Sequence, residues 1–156
     1  MHHLVNMFNL QTRLFNNVTA DISDEDAGKQ PNGHTNHIAW LTGHIVSTRY
    51  MLANSIGLSE QEPFPDFFGN GKGRDDSASY PPMSDLVSGW NSLADKIAEK
   101  LGSMDEESLS TEMPRAVPTG NTLGDFISFL IHHEAYTIGQ IGILRRFWNM
   151  EAMKYS

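Results

Sequence analysis

The sequence predicts an all-α protein, a four-helix bundle with a long irregular connection between its second and third helices. Three observations predict it. Apolar residues recur at 3.6-type spacing in four long segments, no strand-type alternation competes with them, and proline and glycine gather in the stretches between. The 156 residues suggest one domain, residues 1–156, large enough to bury a core without a metal or disulfide staple.

The first helix is expected over residues 4–20, where Leu4, Met7, Phe8, Leu14, Phe15 and Val18 share one face. A polar loop follows, from Asp21 through Pro31, Asn32 and Gly33. The second helix runs from about Thr35 to Ile56, with Thr35 or Asn36 as its cap and Gly57 as its stop. Residues 57–82 contain Pro63, Pro65, Gly69, Gly71, Gly73, Pro81 and Pro82 and form the long connection. Its Phe64, Phe67 and Phe68 suggest that it packs onto the body. The third helix starts near Ser84, a cap candidate, and ends near Leu101–Gly102. Residues 103–121 form another connection, with a short helical turn at Asp105 to Leu109 and no strand. The fourth helix runs from Asn121 or Thr122 to about Trp148. It is apolar on more than one face, which places it centrally or against a partner subunit.

Composition excludes several functions. The net charge is −8 and the only basic cluster is Arg145–Arg146, so nucleic acid is not expected as a partner. No stretch of about 18 apolar residues is present, so no membrane partner or span is expected, and the first residues do not read as a signal peptide. The chain has no cysteine, hence no disulfide and no thiol nucleophile. A cytoplasmic location is the expectation. No G-x-S-x-G motif stands at a strand–helix turn. The glycines around Gly69, Gly71 and Gly73 lack the phosphate-loop pattern and read as plain loop. Glu106–Glu107 reads as a solvated turn, and Gly139 and Gly142 as close-packing positions between helices or subunits.

The informative residues are polar groups on apolar helices. His133, Thr137 and Gln140 fall at i, i+4 and i+7, on one face of the fourth helix. His37 and His44 stand at i and i+7 on the second. A histidine inside a helix is often only a hydrogen-bonded core residue. Two facing helices that each aim one inward can also bind a divalent metal. Gln140 offers an amide oxygen, Thr137 is a poor ligand, and His132 and Glu134 point away from the His133 face. His37 lies about 10 Å from His44 along the helix, so it caps the helix or lines a cavity mouth. Together His37, Trp40, Thr137 and Gln140 are the candidate pocket-lining residues.

Two segments carry a family resemblance. Asn36-His37-Ile38-Ala39-Trp40-Leu41-Thr42-Gly43-His44 resembles the pattern N-x-I-x-W-x-x-G-H. His133 through Arg146 resembles H-x-x-x-H-x-G-Q-x-x-x-L-R-R. Both are similar to the DinB-like superfamily of helical-bundle proteins, and the likeness extends across essentially the whole chain. The resemblance implies a four-helix bundle, often a homodimer, with a divalent metal held by three histidines. By position His44 and His133 would be two of those ligands, and Thr137 occupies the third position. A divalent metal, nickel or zinc, is therefore expected to be weakly held or absent. The expected function is a degenerate histidine pocket between the second and fourth helices that binds a small molecule or partner without metal catalysis. The alternative is a metal-dependent hydrolase or thiol-dependent transferase using His44 and His133. The likeness names no substrate.

Overall fold

The computed structural model describes residues 2–155. It is mostly helical. Four long helical stretches are formed by α1 (His2–Thr19), α3 (Ile38–Ser55), the broken pair α5 (Met83–Asn91) and α6 (Ala94–Ser103), and α8 (Leu123–Phe147). Short helical turns punctuate the connections: α2 (Asp24–Gly28), α4 (Pro65–Phe68) and α7 (Glu106–Leu109). Helix α8 packs on α1 and α3, α5 closes against α3, and α6 closes against α1, so the four stretches surround one core.

The core is aromatic and aliphatic. Phe8, Phe15, Leu52, Leu86, Trp90, Leu93, Ile97 and Ile127 are fully buried. The Phe15 and Trp90 rings stack with centroids 4.0 Å apart and planes 13° from parallel. Helix α3 is the central element, with buried residues from Ile38 to Ala53 on a broad face and Met51 exposed on the opposite side. Helix α8 instead buries one broad face and leaves Tyr136, Ile143 and Phe147 mostly exposed on the other. Among the described residues no other element covers this second apolar face.

Local chemistry sets the boundaries. Thr122 and Asp125 form a reciprocal capping box at the start of α8. Gly57 ends α3 at φ +88°, a conformation that costs glycine nothing. The Ser92 hydroxyl donates to the Gly89 carbonyl (2.8 Å) at the point where α5 gives way to α6. Asp105 caps the expected short turn by accepting from the Ser108 N–H at 2.8 Å.

Several boundaries differ from expectation. His37, not Thr35 or Asn36, caps α3: its Nδ1 accepts the Trp40 N–H at 3.1 Å. Ser84 does not cap α5. The helix begins at Met83, whose N–H donates to Asp24 Oδ1 of α2 at 2.7 Å. The polar loop holds α2, capped by Ser23. Residues 103–121 also hold strand structure, since Glu112–Val117 (β1) and Gly120–Thr122 (β2) pair as an antiparallel hairpin. Its mostly exposed side chains leave no apolar alternation, and Pro114 sits within it, so the usual strand signals are absent. In the 57–82 connection, α4 and a 3-10 turn at Gly69–Gly71 break up the irregular chain.

Candidate functional site

Helices α3 and α8 bring His44 and His133 together. Their Nε2 atoms lie 3.1 Å apart and the rings meet edge to face, with centroids 4.9 Å apart. Trp40, one turn before His44, stacks on its ring at 4.8 Å and 9°. Phe129 lies against His133, with centroids 6.4 Å apart. Aromatic faces thus hold both imidazoles, and desolvation sets their protonation. Burial, reinforced by the neighbouring His133, pushes the His44 pKa down to about 4. Burial, then the charge of His132, also lowers that of His133. Two neutral rings can share one proton in an Nε2–H···Nε2 bond, one as donor and the other as acceptor.

Gly43 explains how the long connection reaches this place. The Phe68 ring lies where a Gly43 side chain would stand, well inside contact distance of an ideal Cβ. Only glycine lets the aromatic of α4 press onto the α3 backbone next to His44.

One residue past His133, the chain carries a charge into the core. Glu134 is 2 % exposed and accepts two hydrogen bonds from Arg49 of α3, at 3.0 Å from Nε and 2.9 Å from Nη2. Arg49 also donates to the Thr12 hydroxyl at 3.0 Å and lies over the Trp90 ring, 3.1 Å from its centroid. Burial pushes the Glu134 pKa up, against the pull of Arg49. The bidentate guanidinium, which stays protonated in proteins, keeps the pair ionic. This pair was not legible in the sequence. Its signal is that Arg49 is the one Lys, Arg, Asp or Glu on α3.

The other expected residues scatter. Thr137 is buried, 1 % exposed, one turn beyond His133. Gln140 lines a separate cavity of about 330 Å³ between the start of α3 and the far end of α8, with Leu41 and Ile143. Trp40 and Thr137 are not part of that wall. His37 faces a third place, a cavity of about 540 Å³ under α2. There burial, then Arg74, lowers its pKa against Asp76 and the Ala27 carbonyl. The one-face reading of His37 and His44 does not hold, because His37 is a capping residue with extended backbone (φ −87°, ψ 164°). A Cβ added at Gly139 would meet nothing within 4 Å, so Gly139 is not a close-packing position between helices of this chain. Arg145 is buried rather than a free terminal cation: its Nη1 donates to the Val18 carbonyl (3.0 Å) and its Nε to that of Glu151 (3.2 Å).

The donor set does not suit a resident divalent ion. Two imidazole nitrogens 3.1 Å apart can be neighbours on one cation at metal–nitrogen distances of about 2.0–2.1 Å. Among the described residues no third donor joins them. Thr137 offers a neutral hydroxyl and Glu134 is engaged by Arg49 on both oxygens. Among the described residues no group of three His, Asp or Glu side chains converges on a point. A ligating histidine also needs an acceptor for its second ring N–H. His133 Nδ1 is buried without one among the described residues.

Comparison with known proteins agrees with this architecture. The family model of the DinB superfamily matches residues 7–141. Two solved structures superpose over nearly the whole chain. A DinB-like protein from Bacillus cereus ATCC 10987 is 17% identical with a TM-score of 0.73, over 97% of this chain and 95% of that one. A DinB-like protein from Bacillus subtilis, YjoA, is 18% identical with a TM-score of 0.68, over 99% of this chain and 98% of that one. At such identity the likeness speaks for the fold alone. No curated protein matches the chain. Among the described residues no helix is long and apolar enough to cross a membrane. The chain belongs to the DinB superfamily.

Proposed function

We propose that this protein is a small-molecule-binding four-helix bundle whose histidine site works without a resident metal. The observation that carries the reading is the direct His44–His133 contact with no third donor beside it among the described residues. The pair then acts as a rigid hydrogen-bonded link between α3 and α8, backed by Trp40 and one residue from the Arg49–Glu134 pair. The ligand cavity in this reading is the one lined by Leu41, Gln140 and Ile143. Its apolar wall is Leu41, Ile143 and Leu144, and His34, Thr35, Asn36 and Gln140 are the polar groups that orient a bound molecule. The exposed stripe of Tyr136, Ile143 and Phe147 supports a homodimer formed through α8.

The test is metal content. Elemental analysis of tag-free protein lacking His2 and His3 should find no stoichiometric metal, and Thr137→His should gain nickel or zinc by supplying the third imidazole. Stoichiometric metal in the unaltered chain, lost in His44→Ala, would establish the metal-dependent alternative instead.

A further inference from the structure

A cavity of about 290 Å³ lies between α1 and α8, apart from the one lined by Gln140. Leu4 and Met7 of α1 and Ile131 and Ala135 of α8 form its apolar walls. Leu4, Met7 and Gln11 follow one another at helical i, i+3 and i+7, and so do Ser128, Ile131 and Ala135, so each helix lends one face. A dry apolar cavity of about 150 Å³ takes up benzene. This one has room for a two-ring aromatic.

One group in the wall has no partner. Gln11 is 2 % exposed, and its Oε1 is buried without a hydrogen bond among the described residues. Buried polar atoms ordinarily find partners, because an unpaired one costs the fold stability. The rest of the lining does not supply the missing donor. The Ser128 hydroxyl donates to the Gly124 carbonyl at 2.8 Å, and His132 is exposed. A water at Gln11 needs two to four polar partners, and the apolar walls offer it few. The terminal torsion of a glutamine is broad, so the amide turns its carbonyl toward the cavity at little cost.

The arrangement calls for a molecule with one hydrogen-bond donor on an apolar body. An aromatic body matches the wall best, because Met7, 45 % exposed, offers a thioether to a ring edge. No Lys, Arg, Asp or Glu lines the cavity, so a charged group would be desolvated there without a partner. We infer that the α1–α8 cavity binds a small uncharged two-ring phenol, with its rings against Met7 and Ile131 and its hydroxyl donating to Gln11 Oε1.

The test is a titration of the full chain with 2-naphthol and with 2-methoxynaphthalene, which keeps the rings and loses the donor, followed by amide NMR. Saturable shifts at Met7 and Ala135 with 2-naphthol are expected, and the ether should bind about tenfold more weakly. Gln11→Leu removes the unpaired acceptor and keeps the bulk, so it should fold at least as stably and bind 2-naphthol only as well as the ether. Ala135→Phe, at an exposed position, should fill the cavity and abolish binding of both compounds. No saturable shift at Met7 and Ala135, equal affinity for 2-naphthol and the ether, or full 2-naphthol affinity in Gln11→Leu would overturn the inference. Shifts centred on Gln140 and Ile143 would also overturn it, by placing the compound in the other cavity. So would an affinity that falls as protein concentration rises, because a second copy of the chain would then occupy the groove.

Discussion

The Arg49 guanidinium and the Glu134 carboxylate meet across α3 and α8 in a bidentate pair, at 3.0 and 2.9 Å, with neither side chain more than 2 % exposed. Two ionic groups in a core are costly to desolvate, and excellent geometry is what offsets the cost. The pair stands one residue along α8 from His133. It therefore fixes the rotation of α8 against α3 that lets the two imidazoles meet.

Breaking that pair leaves a buried charge without a partner. Glu134→Leu should destabilise the fold by about 3–5 kcal/mol, whereas Arg49→Met with Glu134→Leu together should cost clearly less. Urea midpoints of the two variants check this. Equal losses in both would mean that the packing of the side chains, and not their charge, is what matters.

Gly43 offers a cleaner steric test. A methyl group there would overlap the Phe68 ring, and α4 can retreat only by giving up its hold on the body. Gly43→Ala should cost about 1–3 kcal/mol by overpacking. Adding Phe68→Leu should recover part of the loss in thermal denaturation. An unchanged melting temperature in Gly43→Ala would show that the aromatic is not held against the helix.

Acid stability follows from the depressed histidines. The folded-state pKa of His44, about 4, lies below its ordinary 6.5, so the unfolded chain takes up the proton first as pH falls. The stability tied to the neutral ring is complete above pH 6.5 and is lost progressively down to about 4. With partial solvent screening it amounts to about 2 kcal/mol. Buried His37 and half-buried His133 act in the same direction. Carboxylates with lowered pKa values, such as Asp75 and Asp125, weaken the fold only at lower pH, as they protonate. His44→Gln should flatten the profile of urea midpoints between pH 6.5 and 4; an unchanged slope would assign the loss to other groups.

The outer face of α8 predicts assembly. Tyr136 is 65 % and Ile143 70 % exposed, on one stripe with Phe147. Sedimentation should find a dimer, and Ile143→Asp should shift it to monomer without lowering the melting temperature of the monomer fold. A monomer at all concentrations would rule the α8 dimer out.

The long helices were legible because a buried helical face imposes a 3.6 period that composition cannot hide. His44 and His133 were legible for the same reason, as polar groups breaking two apolar faces. What was not legible depends on contacts distant in sequence. Glu134 points away from the His133 face, and only the packing of α3 shows that Arg49 waits there. His37 has the spacing of a helix-face residue, and only the backbone places it at the cap. The hairpin at 112–122 shows no alternation because most of its side chains meet solvent. The cavity under α2 is assembled from residues 24 to 82, and no local motif announces it.

The histidine site turns on whether His44 and His133 bond to each other and not through a metal. Long-range proton–nitrogen NMR of the imidazole rings decides this. Opposite tautomers are expected, with Nε2 of one ring protonated and Nε2 of the other a bare acceptor, in protein without stoichiometric metal. Both rings protonated on Nδ1, with both Nε2 atoms bound to one divalent ion, would contradict the direct bond.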